Sequence, residues 1–296
     1  MLKLGHTAIA AGSLLALAAA SAHATTVTYS DFSSTAGLQL NGSAATTVTG
    51  DGTVLRLTPA ATGQGGSTFT TSQVALGSGA SFSSTFQFRF TNTGGIDPAD
   101  GIAFMLQTVN NNVGGTGGGI GVQGINNSVA IEFDTFNNGS NDLNNSNHVA
   151  VDSDGHVNDG TSSSEQFGAT PYGVATCDFG SGHSQTGCMS NGDLWTVFIN
   201  YDGTSKKLSV SVKDAANAVD DVIVDASIDI PSIIGSTSAF IGFTAATGGG
   251  FENHDIVNWQ FSNEFGTFVP TPEPAALALL GLGLAGLGYA RRRRAA

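Results

Sequence analysis

The sequence predicts an all-β chain folded as two antiparallel sheets packed into a sandwich, and three observations carry that prediction. No long run between the two ends shows the helical period, while many short runs rich in Val, Ile, Phe and Thr are separated by Gly, Asn, Asp and Ser. Glycine fills 41 of 296 positions and proline only 7, so the turns rest on glycine. In the run STFQFRF, Phe86, Phe88 and Phe90 alternate with polar residues, which marks a strand with one buried face.

In chain order the expected strands are Val27 to Phe32, Val54 to Thr58, Ser81 to Thr91, Gly101 to Thr108, Val129 to Phe136 and His148 to Asp152. They continue with Leu194 to Tyr201, Lys207 to Lys213, Asp221 to Ile228, Ala239 to Ala245 and His254 to Ser262. Tyr201-Asp202-Gly203 reads as the turn of a hairpin. Trp195, Phe198, Trp259 and Phe261 are expected to join the three phenylalanines between the sheets. No internal repeat or domain boundary is evident.

The two ends read as processing signals. Lys3, an apolar run from about Ile9 to Ala20 and the small-residue site Ala22-His23-Ala24 form a secretory leader over residues 1–24. At the other end, within residues 266–296, Pro272-Glu273-Pro274 precedes an apolar run, Ala275 to Ala290, and the cluster Arg291 to Arg294. This tail is similar to the PEP-CTERM sorting signal of exported bacterial proteins. The resemblance implies transient anchoring in the inner membrane, removal by an exosortase-like protease, and an extracellular or outer-surface destination. The body, residues 25–265, keeps five basic against twenty-two acidic residues, a net charge near −17. Nucleic acid and anionic membrane are poor partners for such a surface. In an exported protein, Cys177 and Cys188 can pair and staple the Gly/Ser-rich segment between them.

The stretch VAIEFDTFNNGSNDLNNSNHVAVD, Val129 to Asp152, carries the chemistry. Residues two apart on a strand share a face at about 6.6 to 6.8 Å, so Glu132 and Asp134 point the same way. No Lys or Arg occurs between Arg89 and Lys206 to offset them, although that interval holds twelve acids. The simplest missing cation is a metal ion, against the alternative of a solvated acidic loop whose Asn and Asp residues only make turns.

The spacing Glu132-x-Asp134-x-Phe136-x-Asn138-x-x-x-Asp142, followed by His148, resembles the metal and sugar loop of the legume-type (L-type) lectins. The resemblance implies a concanavalin A-like jelly roll. It also implies Ca2+ held by Asp134, the Phe136 carbonyl, Asn138 and Asp142, and a transition metal such as Mn2+ held by Glu132, Asp134, Asp142 and His148. Oxygen ligands suit calcium, and imidazole with carboxylates suits manganese.

Three further segments resemble the same family. Asp97-Pro-Ala-Asp100-Gly-Ile-Ala-Phe matches the segment in which an Asp after a cis peptide accepts hydrogen bonds from two sugar hydroxyls, which implicates Asp100. In the run Gly114-Gly-Thr-Gly-Gly-Gly119-Ile-Gly, Gly119 best matches the glycine that donates its amide to the sugar, with Gly118 next. Ala239 to Asp255 matches the last loop, where Gly249 and Gly250 occupy positions that select the sugar and His254 and Asp255 look like turn residues. The segment from about Asp154 to Asn191, which carries both cysteines, is unlike the plant members.

The expectation is therefore an exported, calcium-dependent lectin without enzymatic activity that binds a glycan or polysaccharide, acting in an extracellular polysaccharide or biofilm matrix. Asn138, Asp100 and Gly119 would bond the sugar and Phe136 would pack on its ring. Two alternatives stand beside it. One is a structural or adhesive matrix protein with a calcium-braced loop. The other is a glycosidase related to retaining β-glucanases, whose Glu-x-Asp-x-x-Glu motif is matched by Glu132 and Asp134 but ends here in Asn137.

Overall fold

The computed structural model describes residues 24–268 apart from 143, 158–175, 181 and 215–220. Most of the expected leader and the tail beyond residue 268 thus lie outside the described residues. Two antiparallel sheets face one another. The first runs β13 (Asp221–Ser227), β12 (Lys207–Asp214), β11 (Trp195–Asp202), β7 (Phe82–Gly95), β15 (Gly250–Ser262), β4 (Gly52–Thr58) and β3 (Ala45–Thr49). β1 (Thr26–Tyr29) continues the edge that β4 begins, pairing with β15 from Trp259 to Ser262. The second sheet runs β10 (His148–Ser153), β9 (Ser128–Asp134), β8 (Gly101–Gln107), β14 (Ser238–Ala246), β5 (Gly65–Thr70) and β2 (Leu38–Gly42), with β6 (Val74–Ala75) beside β14.

The core lies where the alternation puts it. Phe86, Phe88 and Phe90 are fully buried on the inner face of β7. Phe86 meets Phe243 of the opposite sheet edge-on at 4.9 Å between centroids, and Phe243 meets Trp259 at 5.2 Å. Burying side chains of this size stabilises the fold by about 1.5–3 kcal/mol each. Trp195, Trp259 and Phe261 are in this core as expected, but Phe198 is not. Trp195, Val197, Ile199 and Tyr201 take the inner face of β11, and the period of two turns Phe198 outward, where it is half-buried.

Strands β2, β3, β5 and β6 lie outside the expected set. β3 (ATTVT) and β5 (GGSTFT) are built largely of Thr, Ser and Gly and carry little apolar alternation. A short helix, α1 (Ile230–Ile234), was also not expected. The Asp229 side chain accepts from the Ser232 N–H, Pro231 sits in its first turn and left-handed Gly235 ends it. The β11–β12 hairpin is present, with Asp202 paired to Lys207 and the loop at residues 203–206 rather than at Tyr201. Cys177 and Cys188 form a disulfide.

One feature of the second sheet positions the site. On β9, Ile131 and Phe133 point into the main core, so Ala130, Glu132 and Asp134 face away from it. That outer face is not open to solvent. Ile120, Val122 and Ile125 fold over it and form a second small core with Phe69, Ala103, Met105 and Ala130. Glu132 and Asp134 are consequently buried, at 3% and 2% exposure, on the outside of a sheet.

Candidate functional site

Four chain segments converge at one end of the sandwich. The first carries Asp100, just before β8, and the Ala99–Asp100 peptide is cis. Its backbone bridges two strand ends: the Asp100 N–H donates to Ala246 O, and Asp100 O accepts from Thr135 N–H, both at 3.0 Å. The carboxyl group is almost fully buried and its Oδ2 has no hydrogen-bond partner. Burial pushes its pKa up to about 6, with nearby His254 opposing the rise and Glu252 adding to it.

The second segment is the turn between β9 and β10, where His148 pairs in register with Asp134. The Phe136 N–H donates to Asp134 Oδ1 at 2.7 Å, and the Asn138 N–H donates to Asp142 Oδ2. His148 Nε2 lies 3.2 Å from Glu132 Oε1. Burial holds Asp134 well above the usual carboxylate range; His148 opposes this, and the charges of Glu132 and Asp142 add to it. Four of the five basic residues of the body pair with acids elsewhere: Arg56 with Asp255, Arg89 with Asp51, Lys206 with Asp229 and Lys207 with Asp225.

The donor chemistry of Asp134, Asp142, the Asn138 side chain and the Phe136 carbonyl is all oxygen, in a buried negative setting, and fits calcium. The residues expected to hold the second metal, Glu132, Asp134, Asp142 and His148, lie close enough to act on one another's charge. Glu132 and His148 turn to each other, and among the described residues no three His, Cys, Asp or Glu side chains converge as a metal-binding cluster at either set of positions.

The glycine run and the last loop complete the site. Thr116, Gly118, Gly119, Gln123, Asn138 and Asp142 help line a cleft of about 220 Å³. Within it Gly118 stands against Asn138: a Cβ there would lie 2.8 Å from Asn138 Nδ2. Gly119 is buried, and a Cβ there would meet the Gln123 side chain instead. In the last loop, a Cβ on Gly248 would point to the Asp100 carboxylate at 3.4 Å, and Gly249 is exposed beside Ile96. Gly250 is already part of β15 and buried, with room for a Cβ only 2.2 Å from Asp97 O. Its glycine thus serves backbone packing, a different place from the open loop position expected of it.

His254 and Asp255 are not turn residues. Both lie inside β15, which starts four residues earlier than expected, and their neighbours explain the difference. Asp255 forms a two-pronged ion pair with Arg56, both contacts at 2.8 Å. His254 is fully buried, with Nδ1 2.5 Å from Thr58 Oγ1 and Nε2 3.5 Å from Glu252 Oε1. Glu252 is fully buried too and accepts from Thr135 Oγ1 at 2.7 Å, and His254 and Glu252 lie close enough to Asp100 to act on its charge. The sequence reading missed Glu252, although its two-residue spacing from His254 places both on one strand face.

The profile of the Legume lectin domain matches residues 24–274 of the chain. The chain belongs to the legume lectin domain family. A PEP-CTERM protein-sorting motif, which implies export, matches residues 270–294. A seed lectin of Styphnolobium japonicum is 30% identical over 195 residues, covering 64% of this chain and 59% of the relative. An L-type lectin-domain containing receptor kinase of Arabidopsis thaliana is 30% identical over 191 residues, and there the match spans 24% of the relative's length. Among solved structures, basic winged bean lectin with Tn-antigen superposes with a TM-score of 0.63 at 23% identity, over 81% of this chain and 98% of that one. A Bauhinia forficata lectin in complex with GalNAc gives 0.63 at 24% identity, over the same shares. The lectin domain therefore has the expected sandwich, and the described β-strands are its substance.

Proposed function

We propose that the protein is an exported, calcium-dependent lectin that binds a neutral sugar of an extracellular polysaccharide at the end of the sandwich formed by Asp100, Gly118, Phe136, Asn138 and the Gly248–Gly249 loop. The observation that carries this reading is the Asp100 carboxylate. It is buried against glycine loops with one oxygen unsatisfied, and leaving a polar atom so placed without a partner costs about 1–3 kcal/mol. A sugar hydroxyl is a donor of the right size and polarity. Gly248 puts no side chain over the carboxylate, where a Cβ would stand 3.4 Å from Oδ2.

The chain's own residues divide the work. Asp100 accepts from hydroxyls, Asn138 beside Gly118 offers an amide, and half-buried Phe136 presents a ring to the apolar face of a pyranose. Calcium bound by Asp134, Asp142, Asn138 and the Phe136 carbonyl would supply the positive charge that fixes this loop. Support for the binding reading over hydrolysis comes from Glu132, which is buried against His148 and lacks the second carboxylate at position 137. A glycan array probed with and without a calcium chelator tests the proposal. Sugar binding abolished by chelation and restored by calcium is the expected result; no binding to any neutral glycan at saturating calcium overturns it.

A further inference from the structure

The disulfide-closed loop from Cys177 to Cys188 does not hang free. The Cys177 N–H donates to Ser146 Oγ at 2.8 Å, and the buried Asn147 side chain bonds Gly187 O at 2.8 Å and the Met189 N–H at 2.9 Å. These contacts tie the loop to the exit of the proposed calcium turn. On its other side, His183 Nε2 lies 3.1 Å from Thr93 Oγ1 at the end of β7, and the Phe179 N–H donates to Asp97 Oδ1 at 2.7 Å. Asp97 belongs to the segment that delivers Asp100.

So anchored, the loop holds an aromatic ring in the open. Phe179 is 40% exposed and is braced from one side by the His183 ring, edge-on at 4.7 Å between centroids. Next to Asp97, Ile96 is 64% exposed, and its N–H donates to Gly249 O at 3.3 Å. Phe179 and Ile96 are thus two exposed apolar side chains tied through Asp97 and Gly249 to the segments that hold Asp100. A fixed, exposed aromatic ring is suited to the apolar face of a pyranose.

We infer that Phe179 is a stacking platform for the second sugar ring of a glycan whose first ring is held at Asp100, so that the disulfide loop adds a subsite for oligosaccharides. The inference rests on the proposed sugar site, and the occupant is a neutral hexose rather than an anionic one, because the loop carries Asp178 and is bonded to Asp97.

The experiment compares the full exported protein with Phe179→Ala and Phe179→Trp in saturating calcium. Each is titrated with the methyl glycosides of galactose, glucose and mannose, with N-acetylgalactosamine, and with disaccharides extending each by one hexose. A parent that binds one monosaccharide and binds its disaccharide more tightly sets the baseline. Phe179→Ala should leave the monosaccharide affinity unchanged and lose roughly three- to tenfold on the disaccharide, while Phe179→Trp should keep the gain. Unchanged disaccharide affinity in Phe179→Ala, or equal losses on both ligands, overturns the platform while leaving the Asp100 site standing. A parent that binds none of these sugars defeats the sugar site itself.

Discussion

Replacing Asp100 by Asn tests the site and its cost together. Burial moves the Asp100 pKa from 3.8 to about 6, and at 1.36 kcal/mol per unit this difference is worth about 3 kcal/mol. The folded chain keeps a proton in this window that the unfolded chain has already lost. The stabilising effect of that proton is therefore complete below about pH 4 and lost as pH rises through about 6. At pH 7 the sugar-free fold thus carries an ionised, partly unsatisfied carboxylate. Asp100→Asn removes the titration and leaves a pH-independent cost of about 1–3 kcal/mol for an imperfectly paired amide. The stability of the variant relative to the parent should rise by about 3 kcal/mol between pH 4 and pH 7, which for a domain of this size is roughly 6–12 °C in Tm. Sugar affinity should move the other way. Loss of a charged acceptor costs about 1.5–3 kcal/mol, or roughly ten- to a hundredfold, and the parent's affinity should weaken below pH 6 while the variant's stays flat. Thermal melts of both proteins from pH 4 to 7 in chelator, with sugar titrations at fixed calcium, read all of this. Because the two proteins differ at one position, titration of Asp134 and its neighbours largely cancels. Parallel stability profiles together with equal sugar affinities would refute the assignment of Asp100.

Calcium at 100 times its Kd should stabilise the chelated protein by about 2.7 kcal/mol, and Asp142→Asn should abolish most of the accompanying Tm shift; an identical melt in chelator and calcium would remove the metal from the turn. Gly118→Ala places a Cβ against the movable Asn138 amide, so it should weaken sugar binding while Tm stays within a degree or two, as melts and titrations would show. Gly250→Ala instead drives a Cβ into Asp97 O and should cost more than 1 kcal/mol of stability in a urea titration. Intact-mass measurement of protein recovered from the native host's surroundings should lack Arg291 to Arg294, since the sorting motif covers residues 270–294.

What the sequence made legible followed the strength of the local signal. Phe86, Phe88 and Phe90 announce their strand because each alternates with a polar residue, and Glu132-x-Asp134 announces a shared face for the same reason. β5 hid because its sequence is Gly-Gly-Ser-Thr-Phe-Thr: it is held by ladders to β2 and β14 and by close backbone approach, which leave no hydrophobic period. Phe198 is aromatic but out of parity with Val197 and Ile199, which hold the inner face of β11. His254 looked like a turn residue after three glycines, yet its partners Thr58 and Glu252 lie on a neighbouring strand and two positions back. The pairing with Thr58, 196 residues away, had no local trace. Neither did the docking of the disulfide loop, which depends on Asp97, Asn147 and Thr93 from distant parts of the chain.

Strand β15 has a geographical consequence. It begins at Gly250 beside the glycine loops and ends at Ser262, next to Thr26 of β1, and the sorting tail follows within ten residues. Thirteen residues of strand span roughly 40 Å. The Asp100 segment and its glycine loops therefore lie at the end of β15 remote from the residues where the sorting motif begins. If the tail anchors the chain before processing, as the proposed reading has it, the proposed sugar site would stand at the far end of the sandwich from that anchor and would be free to bind before release.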